Sequence, residues 1–504
     1  MAQLDARPFP PGDYPVVVVG SGAGALQMSH ALTLLGIQHA VISADPVPGG
    51  MFRRFPFFQR LLSWTKPYAP VERGTREYER YDWNSLTSDD PSLRALMPNL
   101  MDGTSYFPSR EEMERNLATF AERANVRVRY DCRWESTARR DDGGFVLTTS
   151  DGDYRCRAAV FAVGLAEPWK PATPGMEAVP HYAETKPPES YAGKRIFIVG
   201  KQVSAFELAS GLLPAARQIV LGSPSPAKLS VVTRNLVGVR ARYLQPYEDY
   251  VLAGGLLVVD AAIEGIDRAG DGFAVRTRGS SDGVERTFDV EEVIAATGWV
   301  APLRDLAAVG VATFGQSRLP SQTPFWESTT VPGIYFAGTI TQGASGLKKH
   351  GVPSNSGAVH GHRYNARVLA REIARRHFGV EPARPSVAPD RVVDYLLDEV
   401  TFAPELWNQR SYLARVVSTD GDDAALRDEG ILPLAYFVDR EELDGIAITI
   451  EHNAEGLVYP AVYVRRDGRL SEHLLGDDPT YNFRSEAHRA ALVGAMNERG
   501  VRFR

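Results

Sequence analysis

Cysteine is scarce in this sequence of 504 residues, because only Cys132 and Cys156 occur. The two lie too far apart in sequence to form a C-x-x-C redox pair or part of a zinc-binding motif. Free cysteine is usually buried, so we expect both thiols in the core. The sequence therefore predicts neither a dithiol motif nor a metal site.

Long apolar runs and an excess of basic residues are lacking as well. No stretch approaches the roughly 20 apolar residues that a membrane-spanning helix needs. The net charge is −6, which makes nucleic acid and anionic membranes unexpected partners. The first residues contain no apolar run of a secretory signal. We therefore expect a cytoplasmic protein that acts on a small molecule.

The clearest motif is VVVVGSGAGALQMSHALTLLG, which begins at Val16. A β-branched strand, a glycine-rich turn and an apolar helical pattern are typical of a dinucleotide-binding unit. Gly20 permits the tight turn, Gly22 the close approach of a pyrophosphate, and Ala25 a close contact of helix and strand. The free N–H groups at the start of the helix are suited to bind the pyrophosphate.

The second strand of this unit ends without the acidic residue that usually binds the ribose hydroxyls. Ser43 occupies that place, and Asp45 follows in the sequence HAVISADPVPGG. Either Ser43 makes a weaker contact or Asp45 reaches back to the ribose. A third interpretation is that Asp45 only opens a turn before Pro46.

A second strand, turn and helix occurs in IFIVGKQVSAFELA, which contains Gly200 and Ser204. Gln202 stands where the middle glycine is expected, and Lys201 beside it adds positive charge. The segment KLSVVTRN is predicted to be a strand that ends at Arg234.

Small residues and glycine end the flanking strands RAAVFAVG and EEVIAATG, which indicates that one unit is nested in the other. The fold class is α/β, with two Rossmann-like domains and a small C-terminal α+β appendage after a proline-rich spacer. The predicted domains are residues 1–172 with 322–380, residues 173–321, and residues 390–504.

These motifs, together with Gly49-Gly50, VPGIYFAGT, YDWNSLTSDDPSLR and VHGHRYNARVL, resemble flavoproteins with two dinucleotide-binding domains. Within these, the sequence is similar to the flavin-containing monooxygenase type, also called class B flavin monooxygenases. It also resembles bacterial FAD-dependent oxidoreductases and FAD-dependent oxidoreductase-domain proteins of the endoplasmic reticulum.

The resemblance implies FAD in the first domain and NADPH in the nested one. In the first domain it assigns FAD contacts to Gly20, Gly22, Ala25, Ser43, Asp45, Gly50, Met51, Gly338 and Thr339. In the nested domain it assigns NADPH contacts to Gly200, Gln202, Ser204 and Arg234. Thr339 replaces the usual aspartate beside the ribityl chain, and Arg234 matches the arginine that binds the 2′-phosphate.

The resemblance also implies a monooxygenase reaction, in which a C4a-hydroperoxide of the reduced flavin delivers one oxygen atom to the substrate. Asp89 occupies the place of an asparagine that supports the peroxide, and Asn84 is the alternative. Both residues could instead belong to a turn with helix caps.

Lys66 is the third candidate catalytic residue, within a basic and aromatic segment that starts at Met51. That segment either lines a pocket for an anionic substrate or forms core packing with a solvated rim.

Oxygenation of an amine nitrogen or another heteroatom is the first expectation. The phenylalanine, glycine and histidine motif of ketone-inserting members is incomplete, because Thr173 stands where phenylalanine is expected. Two alternatives are an FAD-dependent oxidase or dehydrogenase that does not use NADPH, and a non-catalytic FAD-binding protein. The expected partners are a small-molecule substrate and molecular oxygen, and a homodimer is an open possibility.

Overall fold

The computed structural model describes residues 7–54, 60–233, 236–315, 318–344, 346–347, 349–419 and 426–498.

The first domain is built on a four-stranded parallel sheet. In spatial order its strands are Ile334–Phe336, Ala158–Phe161, Val16–Val19 and His39–Ile42. The valines of the Val16–Val19 strand are buried, and they alternate between two hydrophobic clusters on opposite faces of the sheet. A parallel sheet covered on both faces requires such a continuous apolar strand.

Helices cover one face of this sheet and a small second sheet covers the other. The helices are Ala23–Leu34, Arg110–Arg123 and Val359–Phe378. Helix Arg110–Arg123 begins with a capping box, in which Ser109 and Glu112 satisfy each other's backbone N–H groups. The second sheet has the strand order Gly12–Asp13, Gly152–Cys156, Phe145–Thr149 and Trp134–Arg139.

The nested domain has a six-stranded sheet of its own. In spatial order its strands are Glu285–Val290, Gly272–Gly279, Leu256–Ala269, Gln218–Ser223, Arg195–Val199 and Glu292–Ala295. The last four are parallel, as a dinucleotide-binding unit requires. The accompanying helices are Val203–Leu212, Ser230–Thr233 and Gln245–Val251.

The predicted strand in KLSVVTRN is wrong. Residues Ser230–Thr233 form a short helix, and the strand that follows helix Val203–Leu212 is Gln218–Ser223. A short apolar run does not distinguish a strand from a helical turn, so the pattern in KLSVVTRN is compatible with either.

The chain leaves the first domain and returns to it through two paired segments. Glu167–Pro168 and Trp299–Val300 form a short antiparallel ladder at this crossing. A second short ladder, Thr313–Phe314 with Leu319–Pro320, precedes the return strand. The expected fold class, with one dinucleotide-binding unit nested in the other, is confirmed, while the domain boundaries given above stay predictions.

The C-terminal region forms a larger sheet than the two strand patterns of the sequence indicate. Its antiparallel strands, in spatial order, are Ser386–Val387, Leu426–Pro433, Leu413–Thr419, Gly445–His452, Val458–Arg466 and Arg469–Leu474. Its helices are Val392–Phe402, Pro404–Asn408, Leu434–Asp439 and Glu486–Glu498.

This C-terminal region packs on the first domain through polar contacts. Arg76 donates hydrogen bonds to the carboxylates of Glu399 and Glu405. Gln409 contacts Asn365 on helix Val359–Phe378. The C-terminal region therefore packs against helix Val359–Phe378, which borders the cavity described below. In the described part of the chain, no helix has the length and apolar character needed to cross a membrane.

Candidate functional site

A cavity of about 1030 Å³ lies between the first and nested domains. It is bordered by the glycine turn after Val19, the end of the second strand, and the start of the nested helix Val203–Leu212. The predicted cofactor residues on its wall are Gly20, Gly22, Ser43, Asp45, Gly50, Met51, Ser204, Gly338 and Thr339. The structure thus brings most of the predicted FAD contacts together around one space.

The first glycine turn is shaped by close backbone contacts. Gly20 has φ +131°, and a Cβ there would lie 2.5 Å from the carbonyl oxygen of Ala162. Helix Ala23–Leu34 begins at Gly22 without a side-chain cap, so its first N–H groups are left for a ligand. This geometry fits a pyrophosphate at the start of the helix.

Gly24, which the sequence interpretation did not single out, lies in close contact with the backbone of Gly338. A Cβ on Gly24 would lie 2.3 Å from the Cα of Gly338. This contact joins the first turn to the return strand and its Gly338–Gly343 turn. Ala25 is fully buried and does not line the cavity, so it acts in packing rather than in pyrophosphate contact.

Asp45 reaches back to the end of its strand. Ser21 Oγ donates to Asp45 Oδ2 at 2.6 Å, and Ser43 Oγ donates to the same oxygen at 3.3 Å. The carboxylate therefore lies beside the glycine turn, where the ribose-binding acid of a dinucleotide unit is expected. Among the three interpretations of the sequence, the geometry favours this one.

Thr339 lies half-buried on the cavity wall, directly after Gly338. Its hydroxyl makes no hydrogen bond within the described residues, and it lines the same cavity. It is therefore free to contact the ribityl chain of a flavin.

The nested turn repeats the backbone of the first. Gly200 has φ +132°, and a Cβ there would lie 2.5 Å from the carbonyl oxygen of Ala296. Gln202 occupies the position that Gly22 holds in the first turn. Its side chain is exposed and does not cap helix Val203–Leu212, so the N–H groups at the start of that helix are also left for a phosphate.

Lys201 does not supply charge to this turn, contrary to the expectation from the sequence. Its side chain is fully buried and pairs with Asp260 on strand Leu256–Ala269. Arg234 lies outside the described residues, and the helix Ser230–Thr233 before it replaces the strand on which its assignment depended. The predicted 2′-phosphate contact stays a prediction.

The catalytic roles of Asp89, Asn84 and Lys66 stay predictions, and none of the three residues lines the cavity. The carboxylate of Asp89 is largely exposed and pairs with Arg367. Asn84 is buried, and its amide is used by Ser63 and Thr65. Lys66 is exposed, with its ammonium 5.5 Å from the ring centroid of Trp64.

A stack of rings, which the sequence interpretation missed, forms one wall of the cavity. The Trp64 and Trp83 ring centroids are 3.6 Å apart, and the Trp83 and His360 centroids are 4.2 Å apart. Trp83 and His360 line the cavity. Sequence spacing could not find this stack, since His360 lies at the start of helix Val359–Phe378, far from the tryptophans in the chain.

Glu207, on the nested helix, is a second residue that the sequence interpretation missed. Tyr182 donates to its Oε2 at 2.5 Å, and the hydroxyl of Tyr243 lies 2.8 Å from its Oε1. The same Tyr243 hydroxyl lies 2.8 Å from the carbonyl oxygen of Arg60. A phenol has one proton, so Tyr243 either shares it between these two oxygens or donates it to Arg60 and accepts a hydrogen bond from a protonated Glu207.

Burial raises the pKa of Glu207 to about 7, although the hydrogen bonds from the two tyrosines and the charge of Arg242 oppose the rise. The carboxyl also lines the cavity. A buried acid with a pKa near neutrality can hold or release a proton under working conditions.

Both cysteines are buried and neither lines the cavity. Burial raises the pKa of the Cys132 thiol, and it raises the pKa of the Cys156 thiol to about 12. The thiolate is the reactive form of cysteine, so neither residue is suited to thiol–disulfide exchange.

Two glycine turns with the same backbone geometry, each followed by a helix that borders the cavity, define the class of protein, a flavoprotein with two dinucleotide-binding domains. The chain belongs to the pyridine nucleotide-disulphide oxidoreductase family, whose model matches residues 17–338. The predicted resemblance is confirmed by this match.

Among curated proteins, the chain is 28% identical to mouse FAD-dependent oxidoreductase domain-containing protein 2, over 85% of this chain and 68% of that protein. Among solved structures, it resembles the bacillithiol disulfide reductase of Staphylococcus aureus, with a TM-score of 0.55, 15% identity, and coverage of 72% and 99%. It also resembles the ornithine N-hydroxylase of Kutzneria sp. 744, with a TM-score of 0.54, 17% identity, and coverage of 72% and 100%. These structural likenesses concern the fold.

The prediction of an FAD-dependent oxidoreductase is confirmed at the level of the family, as are FAD and NADP(H) as its cofactors. The described residues fit both groups. Gly22 and Thr339 would contact the FAD, with Asp45 at its ribose, and Ser204 at the start of the nested helix would contact the nucleotide phosphates.

Proposed function

We propose that the protein is an NADPH-dependent flavin monooxygenase that oxygenates a small molecule at an amine nitrogen or another heteroatom. The observation that carries the proposal is the state of the cysteines. The sequence has only two, and both are buried away from the cavity. Because the fold serves disulfide reduction and hydroxylation alike, the residues at the cavity decide between them.

Dithiol relay chemistry requires a thiolate that can reach both the flavin and the substrate. Cys132 lies fully buried, where its thiol contacts the Thr149 hydroxyl at 3.4 Å. Neither this thiol nor that of Cys156 meets the requirement. Electrons from NADPH would then pass to an acceptor that enters the cavity, and molecular oxygen is the acceptor that the resemblance implies.

The residues of the chain bind, orient and exclude water. Bound FAD and NADPH together supply a two-electron transfer toward oxygen. The helix starts at Gly22 and Gln202 offer N–H groups to the phosphates of the two cofactors. Trp83 and His360 close one wall against water, and Glu207 holds a proton on the wall of the nested domain.

The test measures reduction of the flavin and then oxygenation of a substrate by the purified FAD-loaded protein. We expect NADPH to bleach the flavin under anaerobic conditions, and oxygen to restore it with formation of an oxygenated product. The product is sought by mass spectrometry in a panel of amines, amino acids and thioethers. Complete conversion of NADPH to hydrogen peroxide, without product from any member of the panel, would contradict the proposal.

A variant in which Cys132→Ala and Cys156→Ala are combined is the matched control. We expect it to keep NADPH oxidation and product formation, because no thiol takes part. Loss of NADPH oxidation in this variant, with the flavin still bound, would favour a thiol-dependent reductase instead.

A further inference from the structure

One corner of the cavity contains a cationic group, Arg240, that has no anionic partner among the described residues. Arg240 lies half-buried on the cavity wall. Within the described residues, its guanidinium makes neither an ion pair nor a side-chain hydrogen bond. Burial lowers the pKa of Arg240, which shows that its charge is partly removed from water. A desolvated cation without a partner is costly, so this residue is suited to an anion that arrives with a ligand.

The neighbouring imidazole of His360 supplies an independent observation. It is 2% exposed, and neither ring nitrogen has a hydrogen-bond partner among the described residues. Buried polar groups are normally paired, so two unpaired nitrogens on the wall of a cavity point to a missing ligand. Burial, followed by the charges of Arg363, His362, Arg240 and Arg410, holds the pKa of His360 well below its usual range.

Arg410 adds to the positive character of this corner from the C-terminal region. Its Nε has no partner among the described residues, and burial lowers its pKa to about 10. Arg363 differs, because its guanidinium donates to the carbonyl oxygens of Glu79, Asp82 and Ser85. In the described part of the chain, Arg240 is therefore the cation of this corner that lines the cavity and lacks a partner.

The cofactor phosphates are expected at residues other than Arg240, namely Gly22 in the first domain and Ser204 in the nested one. The FAD pyrophosphate belongs at Gly22, and the adenosine of a pyridine nucleotide belongs at the end of strand Gln218–Ser223. Ser223 does not line the cavity, whereas Arg240 does. Nearby, Tyr243 contacts the backbone of Arg60 in the first domain, so Arg240 lies where the nested domain meets the first.

We propose that Arg240, together with the ring of His360, binds a carboxylate on the substrate. The inference rests on the proposed function, since it assigns the substrate class of the same cavity. The guanidinium would pair with the carboxylate through its planar donors, and an unused N–H of His360 would add a hydrogen bond.

The test compares a charged probe with an uncharged probe of the same shape. Benzoate and benzamide are titrated into the FAD-loaded protein, and binding is followed by the change in flavin absorbance and by quenching of tryptophan fluorescence. We expect benzoate to bind about tenfold or more tightly than benzamide, because a hydrogen-bonded charge pair contributes more than a neutral contact.

Four variants locate the effect. Arg240→Gln should abolish the preference for benzoate, and Arg240→Lys should keep most of it. His360→Phe should reduce it while preserving a ring beside Trp83. Arg276→Gln changes an exposed arginine on the nested sheet and should leave the preference unchanged.

Three results would overturn the inference: equal binding of the two probes, absence of saturable benzoate binding, or an unchanged preference in Arg240→Gln. A fourth is an Arg240→Gln variant that needs more NADPH but not more NADH to reduce the flavin, because Arg240 would then bind the 2′-phosphate. Failure of NADPH to bleach the wild-type flavin, with the benzoate preference intact, would refute the proposed function and leave the carboxylate site standing.

Discussion

The two glycine turns share a backbone and differ in their side chains. Gly20 and Gly200 have the same left-handed φ, and each lies against the carbonyl oxygen of an alanine on the adjoining strand. Gln202 replaces Gly22, and Lys201 replaces Ser21. The glycine that the turn needs sterically is thus kept, while the two positions that follow it have diverged.

The same comparison extends into the helices. Gln27 stands at the same distance from Gly20 as Glu207 does from Gly200, and both are buried. The amide of Gln27 pairs with the backbone N–H and carbonyl of Thr87. Glu207 is held by two tyrosines. One helix therefore uses a neutral amide where the other uses a titratable carboxyl, so only the nested domain gains a pH-dependent contact here.

The largest effects are expected from replacing the first glycine of each turn by alanine, one turn at a time. In Gly20→Ala the new Cβ would meet the Ala162 carbonyl at 2.5 Å, and in Gly200→Ala it would meet the Ala296 carbonyl at 2.5 Å. Each change adds strain of about 1–3 kcal/mol at a left-handed φ, besides the steric clash. We expect Gly20→Ala to purify with little FAD, and Gly200→Ala to keep FAD but lose bleaching by NADPH.

Flavin absorbance and anaerobic bleaching measure the two outcomes. Gly494→Ala, in a helix with no atom near the new Cβ, is the control and should change neither. Equal loss of FAD in Gly20→Ala and Gly200→Ala would show that the two turns do not serve separate cofactors.

The second largest effect is expected when Glu207 on the nested helix is replaced by glutamine, the residue at the equivalent position 27 of the first helix. The folded protein raises the pKa of Glu207 from its ordinary 4.5 to about 7. Between these values the folded state holds a proton that the unfolded state has lost, so the free energy of unfolding falls as pH rises from about 4.5 to about 7. The loss amounts to about 3 kcal/mol and is complete above the folded pKa.

Glu207→Gln should remove this dependence, because an amide mimics the protonated carboxyl toward Tyr182 and Tyr243. We expect a higher urea midpoint than wild type at about pH 8 and a similar midpoint at about pH 5. Glu189→Gln alters an exposed glutamate and serves as the control. An equal shift of the Glu207→Gln midpoint at both pH values would argue that Glu207 is ionised throughout.

A smaller effect is expected at Asp45, which Ser21 and Ser43 hold beside the first turn. Asp45→Asn should weaken FAD binding by about tenfold, the value of one charge-assisted hydrogen bond. It should leave the NADPH concentration for half-maximal bleaching unchanged, since Asp45 is hydrogen-bonded to residues of the first domain. Fluorescence titration of the apoprotein with FAD measures the change, and exposed Asp13→Asn is the control. An unaltered FAD affinity would remove Asp45 from the ribose site.

The sequence predicts those features of the two turns that depend on residues close together in the chain. A valine strand, a glycine turn and an apolar helix follow directly from residue order, and so do the two nested units. The predicted strand in KLSVVTRN was wrong, because a short apolar run is also compatible with a helical turn.

Contacts between distant segments could not be predicted. The stack of Trp83 on His360 and the contact of Tyr243 with Arg60 join residues that only the fold brings together. The position of Asp89 in its motif likewise fixes the segment and not the direction of its side chain. It points to Arg367 on the surface.

The smallest effect is expected when Gln202 of the nested turn is replaced by glycine, the residue that the first turn has at Gly22. Gln202 is exposed and caps nothing, so Gln202→Gly removes bulk beside the phosphate site without disturbing a contact. We expect the NADPH concentration for half-maximal bleaching to fall by about threefold, with FAD content unchanged, since the gain is below about 1 kcal/mol. Stopped-flow reduction over a range of NADPH concentrations measures this change. A rise in the required concentration would instead show that the glutamine amide donates a hydrogen bond to the phosphate, so that the nested turn binds its nucleotide by a side chain where the first turn uses backbone alone.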